Sequence, residues 1–206
     1  KTIKGLPAGE NILRETAAPN GYTIAKDVKF TVTDELKAAE TVVMENAPIE
    51  VNISKTDITT DKELPGATLQ ILKKAAAVTD DGEETETEEV VTTIYGEKLE
   101  WVSGATPKTI KGLPAGNYIL RETAAPDGYT VAADVEFTIT DELKAAETVV
   151  MKDAPIVTSI SKVDITTADK ELPGATLQIL KKVKAATDDG EEVEKEEIVI
   201  TIYGEQ

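Results

Sequence analysis

The sequence predicts an all-β protein built as a tandem array of β-sandwich domains, and three observations carry that reading. First, the chain repeats itself: Lys1-Thr2-Ile3-Lys4-Gly5-Leu6-Pro7-Ala8-Gly9 returns unchanged as Lys108 to Gly116, an offset of 107 residues. A repeat of about a hundred residues is the size of one small domain. Second, short segments of alternating apolar and polar residues are punctuated by Pro and Gly turns, the signature of half-buried strands. Third, the hydrophobic share is 40% but the aromatic share only 4%, so each core must be packed mainly with Val, Ile, Leu and Ala.

The repeat offset divides the chain into residues 1–48, the second half of a unit; residues 49–155, a complete unit; and residues 156–206, a first half. Neither end is then expected to be a domain boundary, and the chain is read as a segment of a longer repetitive protein. In the complete unit, Val51-Asn52-Ile53-Ser54-Lys55 alternates and predicts the first strand. Leu64-Pro65-Gly66 predicts a turn, and Ala67 to Leu72 a second strand. Residues 79–89 are dense in Asp and Glu and predict a hairpin tip or exposed loop. The β-branched run Val90 to Tyr95 predicts a strand. Leu113 to Gly116 predicts a turn before a strand over Asn117 to Glu122, and Ala125-Pro126-Asp127-Gly128-Tyr129 another turn. Val135 to Thr140 and Thr148 to Met151 predict the last two strands, with Asp141 to Glu147 a loop or one helical turn. Short strands at such spacing imply a sandwich of immunoglobulin-like proportions.

Composition removes several classes of function. With 22 basic and 39 acidic side chains the net charge is −17, a field that repels nucleic acid and anionic membranes. There is no Cys and no His, which excludes disulfides, thiolate or imidazole metal sites, and any triad that needs imidazole. No signal peptide, membrane-spanning run or phosphate-binding loop appears, and no cofactor is expected. The acidic run Asp80-Asp81-Gly82-Glu83-Glu84, repeated at Asp188 to Glu192, lacks the position pattern of a calcium-binding EF-hand; a solvated loop is the simpler reading. Trp101, the only tryptophan, is expected in the core or at a domain junction.

Strand parity supplies the sharpest expectation, because side chains two apart share a face. If Val51 and Ile53 face the core, so does Lys55. Tyr118 and Leu120 carry Glu122 inward, and Val149 and Met151 carry Asp153 inward. One amine and two carboxyls are thus expected inside a small apolar sandwich, and three unpaired buried charges are not viable. An ion network is one solution. Amide formation is another: burial lowers the pKa of an amine and raises that of a carboxyl. A neutral amine held beside a carboxyl or carboxamide, with a protonated Glu to polarise the carbonyl and shuttle protons, is arranged to lose water or ammonia.

These residues carry a resemblance. Tyr118 to Tyr129 (Tyr-Ile-Leu-Arg-Glu-Thr-Ala-Ala-Pro-Asp-Gly-Tyr) resembles the E-box of Gram-positive pilins. The unit as a whole is similar to the Cna protein B-type domain of bacterial adhesins and pilin shafts, through the Leu64 to Ala67 turn after a Lys-containing strand, the Leu113 to Tyr118 segment, and a last strand ending at Asp153. The resemblance implies a prealbumin-like sandwich in which Lys55 is the nucleophile, Asp153 the acceptor and Glu122 the catalyst of an internal isopeptide bond. Asp153 departs from the Asn usual at that place, although some members use Asp. In the first half-unit Glu15 takes the place of Glu122, Asn46 that of Asp153, and Asn11 that of Tyr118; in the last half-unit Lys162 takes the place of Lys55.

A bond between first and last strands would carry tension applied through the ends of an array. By analogy with disulfides, closing so long a loop is worth about 4–5 kcal/mol. The leading expectation is therefore a structural segment of a Gram-positive cell-wall or surface stalk, or pilus-like fibre, reacting once with itself and not turning over as an enzyme. A further expectation is head-to-tail pairing with neighbouring copies, residues 156–206 of one chain completing residues 1–48 of the next, with Lys162 bonding Asn46 and Glu15 as catalyst; an arbitrary cut through a longer repeat explains the same ends. The alternative is an adhesive module whose loops bind a host matrix protein or glycan. A hydrolase using Glu122 and Asp153 as paired carboxylates leaves Lys55 unexplained.

Overall fold

In the computed structural model, residues 1–35, 41–78, 84–142, 145–167, 170–186 and 192–204 are described. They form two compact units, Lys1–Ala154 and Pro155–Gln206.

The first unit opens with β1 (Gly9–Leu13) and β2 (Val28–Val32), an antiparallel pair. The complete repeat follows. Its first sheet has the order β10-β3-β7, from β3 (Glu50–Asp57), β7 (Lys108–Lys111) and β10 (Glu147–Asp153). Its second has the order β5-β4-β8-β9, from β4 (Thr68–Val78), β5 (Glu84–Val90), β8 (Gly116–Ala124) and β9 (Val135–Ile139), with the short β6 (Glu100–Val102) also paired to β4. Between the sheets lies an aliphatic core that includes Val51, Ile53, Leu69, Ile71, Leu99, Ile110, Leu113, Leu120 and Met151, with Tyr118 as its buried aromatic. Trp101 packs partly buried against this core, and the Lys108 amine lies 5.6 Å from its ring centroid.

Parity explains the burial. In β3 the odd positions Val51, Ile53, Lys55 and Asp57 face inward, and near the strand's end Ser54 and Thr56 are covered as well. The first and last strands are neighbours and run parallel, with Ile53 opposite Val149 and Lys55 opposite Met151.

The structure corrects three local expectations. Residues 84–89 are not loop: they belong to β5, whose ladder with β4 sets Lys74 opposite Glu88 and Ala75 opposite Thr87. The ribbon is solvated on its outer part and therefore needs no apolar stripe. The run 90–95 is not a strand beyond Val90; Gly96 N–H bonds back to Thr93 at 3.0 Å and closes a turn, with Gly96 at φ +82°. Strands β6 and β7 have no counterpart in the expectation. Around residues 141–147, those described on either side of 143–144 are irregular up to the start of β10. The acidic tips 79–83 and 187–191 lie outside the described residues.

Within the first unit the preceding half-repeat is joined to the complete domain by backbone bonds. Ile49 N–H donates to Gly21 at 2.9 Å and Ile24 N–H to Asp141 at 2.7 Å, while inside the complete domain Ile94 N–H donates to Gly112 at 3.1 Å. Ile94 lies so close over the two glycines that a Cβ on Gly21 would sit 2.7 Å from it and one on Gly112 2.5 Å from it.

The second unit holds β11 (Leu180–Ala186) and β12 (Glu192–Ile198), an antiparallel ribbon. Residues 156–162, the counterpart of the start of β3, form no strand, because the strands that flank β3 on both sides come from the second half of a repeat.

Candidate functional site

Three strands bring one charged side chain each to a single point in the core. Lys55, on β3, is 1% exposed, Glu122, on β8, 4%, and Asp153, at the end of β10, 0%. The Lys55 Nζ lies 3.0 Å from Glu122 Oε1 and contacts Asp153 Oδ1. The distance to Glu122 is that of an ion pair, but its angle does not make an aligned hydrogen bond, and neither Glu122 Oε1 nor Asp153 Oδ2 has a hydrogen-bond partner in the protein. Burial pushes the Asp153 carboxyl above its ordinary range; the Lys55 charge opposes that shift and the Glu122 carboxyl adds to it.

Each group is held by its backbone. The Leu64 N–H donates to the Lys55 carbonyl at 2.7 Å, and Ser54 Oγ donates to Glu63 Oε1 at 2.5 Å, which fixes the strand carrying the amine. Ala132 N–H donates to Glu122 Oε2 at 2.7 Å. On the opposite face of β8, Arg121 donates to both carboxylate oxygens of Asp134. Residues 132–134 are thereby clamped to β8 from inside and outside, and the free oxygen of Glu122 is aimed at the amine. A cavity of about 300 Å³ lined by Lys55, Glu63, Trp101, Ser103 and Lys108, among others, lies beside the lysine.

The half-repeats hold the remaining predicted residues. In the first, Asn46 Nδ2 donates to Glu15 Oε2 at 2.6 Å and to the Thr23 carbonyl at 2.9 Å, while Ala25 N–H donates to the same Glu15 oxygen at 2.7 Å. Acceptor and carboxylate are thus together in a half-unit that contains no first strand. In the last, Lys162 is exposed, yet the hydrogen bonds that hold its stretch of backbone match those around Lys55. Leu172 N–H donates to the Lys162 carbonyl at 2.7 Å, and Ser161 Oγ to Glu171 at 2.5 Å.

Asp57 is a buried charged group that the sequence reading passed over. It lies one inward position beyond Lys55, and its Oδ2 accepts a 2.7 Å hydrogen bond from the Tyr129 hydroxyl. The signal was present, since the alternation that carries Lys55 inward continues for one more step. Among the described residues no group of His, Cys, Asp or Glu forms a metal cluster, and no helix is long and apolar enough to cross a membrane.

Solved structures similar to this chain include the shaft pilin SpaA of Lactobacillus rhamnosus GG, with 21% identity over 73% of this chain and 66% of the pilin at a TM-score of 0.39. A streptococcal ancillary pilin shares 26% identity over 73% of this chain and 44% of its own (TM-score 0.37). The Bacillus anthracis TIE protein shares 24% over 94% and 33% (TM-score 0.38). The chain spans about a third to two thirds of the length of these proteins. No curated protein matches it. The family model for the SpaA prealbumin-like fold domain matches twice, over residues 1–48 and 49–155, so the chain belongs to that family of all-β domains.

Proposed function

We propose that this chain is a load-bearing segment of a cell-surface stalk or pilus-like fibre of a Gram-positive bacterium, its domains closed by Lys–Asp or Lys–Asn amide bonds. The observation that carries the reading is the Lys55–Glu122–Asp153 cluster, an amine touching a carboxyl across the first and last strands with a second carboxylate 3.0 Å away, all three buried. Family membership and the strongly acidic, cysteine-free composition fit an extracellular repeat that takes its covalent reinforcement from a bond other than a disulfide.

The chemistry balances within the site. Transfer of one proton from Lys55 to Asp153 gives a neutral amine beside a neutral acid, with Glu122 placed to carry protons between them. Nζ then adds to Asp153 Cγ and its nitrogen gives up a proton to Glu122. The C–OH bond breaks, and Glu122 returns that proton to the departing hydroxide. One amide and one water result; the amide is neutral, so two of the three buried charges are gone, and Glu122 ends as it began. The held contact supplies the effective concentration, and the adjoining cavity gives the water a place to go.

The half-repeats extend the proposal to joining between copies. Apolar residues that are interior in the complete domain are exposed in the halves: Leu13 is 37% exposed against 0% for its counterpart Leu120, and Ile160 is 59% against 2% for Ile53. Among the described residues the Glu15–Asn46 pair stands without an amine, and Lys162 without an acceptor. Residues 156–206 of one copy are therefore read as completing residues 1–48 of another, with Lys162 displacing ammonia from Asn46.

Intact mass under denaturing conditions tests both parts. The expected result is one water missing from the wild type but not from Glu122→Ala, together with covalent multimers that have lost one ammonia per junction. Lys162→Arg should abolish the multimers and leave the water loss in place. A wild-type mass equal to that of the plain sequence would sink the bond.

A further inference from the structure

We propose that Asp57 and Tyr129 form a second point at which the domain recognises its first strand, so that the partner read is a Lys-x-Asp pair and not a lysine alone. This inference rests on the strand-closing reading above. Asp57 is buried, lies on the same face as Lys55, and stands opposite Asp153 in the parallel register. Both of its oxygens are engaged: Oδ2 accepts from the Tyr129 hydroxyl at 2.7 Å, and Oδ1 accepts from Thr59 N–H at 2.6 Å and Thr60 N–H at 3.2 Å.

The first strand supplies the aspartate and the loop after β8 supplies the tyrosine, so the bond cannot exist until that strand has docked. Tyr129 is three residues before Ala132, whose N–H holds Glu122. Between them, Thr130 is tied to the Ala154 carbonyl through its N–H at 3.0 Å and its hydroxyl at 3.2 Å. Seating Asp57 therefore fixes the loop that aims Glu122, and Tyr129 is a positioning residue for the amide step. A charge-assisted bond in a partly buried site is strong enough for that task.

The same parts recur in the halves. Asp164 follows Lys162 by two residues, and its Oδ1 already accepts from Thr166 N–H at 2.7 Å and from the Thr166 hydroxyl at 2.6 Å. Tyr22 stands three residues before Ala25, as Tyr129 stands three before Ala132. The strand that fits residues 1–48 is accordingly one with Lys and Asp two apart, as in Lys162–Asp164 of a second copy.

The test uses the full chain made by cell-free synthesis, quenched in acid at intervals and weighed for water loss, as wild type, Asp57→Asn, Tyr129→Phe and the double variant. Asp57→Asn keeps an oxygen for Thr59 and Thr60. Each single variant is expected to slow water loss about tenfold, equivalent to about 1.4 kcal/mol, and the double variant to be no slower than either single. Gly112→Ala, which weakens the domain away from this pair, is expected to lower the unfolding temperature without slowing water loss. Wild-type rates in both single variants, or effects that add, would overturn the pairing. If the wild type loses no water, the closing reading fails by itself; unfolding of the same four chains then decides, coupling between the two substitutions supporting the strand-docking contact and additivity overturning it.

Discussion

Lys55 and Asp153 meet across a diagonal of two parallel strands. Lys55 is paired with Met151, and Asp153 with Asp57, so the amine reaches one inward position along β10 to the carboxyl. The diagonal places both groups at the same end of the sandwich, where Glu122 comes in from the facing sheet.

Removing the acceptor should be costly even where no amide forms. In a Glu122→Gln background, Asp153→Ala leaves Lys55 buried without its carboxylate. Breaking a buried pair from one side costs about 3–5 kcal/mol, so urea unfolding should show a loss in that range. A loss below about 1 kcal/mol would mean that the amine is hydrated or neutral in the folded chain.

The raised affinity of Asp153 for its proton gives a stability slope of definite sign. Its folded-state pKa lies above its ordinary value of 3.8 because burial disfavours the charged form. The folded chain therefore binds this proton more tightly than the unfolded chain. The associated stability is present in acid and is lost as pH rises from about 3.8 through the raised value. Measured again with Glu122→Gln to prevent bonding, urea unfolding at several pH values should show a component that falls with rising pH in this window, absent in the Asp153→Asn double variant.

Gly112 and Gly96 share a left-handed backbone, φ +72° and +82°, but not a setting. A Cβ on Gly112 would lie 2.5 Å from Ile94 and 2.8 Å from the Tyr95 ring, whereas one on Gly96 meets nothing within 4 Å. Gly96→Ala should cost about 1 kcal/mol from backbone strain alone. Gly112→Ala should cost that plus about 1–3 kcal/mol of overpacking. Thermal unfolding of the two variants side by side checks the difference.

Ser103 stitches β6 to the turn after the lysine strand. Its hydroxyl donates to the Leu64 carbonyl at 2.6 Å and accepts from Ala67 N–H at 2.9 Å. Ser103→Ala leaves both groups without that partner in a buried place and should cost about 1–3 kcal/mol, read in chemical denaturation.

The parts of the fold legible from sequence are those in which alternation is long and turn chemistry explicit. β3, β8 and β10 each have at least two inward apolar residues in phase, and Pro or Gly turns mark the approach to β4 and β8. The parity of these strands is enough to point Lys55, Glu122 and Asp153 inward. β7 is Lys-Thr-Ile-Lys, with Ile110 as its one inward apolar residue, too short to show a period. β6 has three residues and exists because β4 offers an edge to pair with. β5 is the opposite case: its acidic composition reads as loop, but a ladder opposite β4 and salt bridges such as Lys74–Glu86 hold it extended. Asp57 stands one inward step past Lys55 in the same alternation, so its burial was legible, but nothing in the sequence signals its tyrosine partner 72 residues away.

The parallel pairing of β3 with β10 also sets how the domain meets force. The chain enters at the Glu50 end of β3 and leaves at the Asp153 end of β10, opposite ends of a ladder seven residue pairs long. Pulling on the two ends slides the strands past each other, so the ladder bonds are loaded together in shear and are not peeled one after another. A rupture must then break many bonds at once. The contact between Lys55 and Asp153 joins the two sliding strands directly, where a covalent link would stop the slide before it begins.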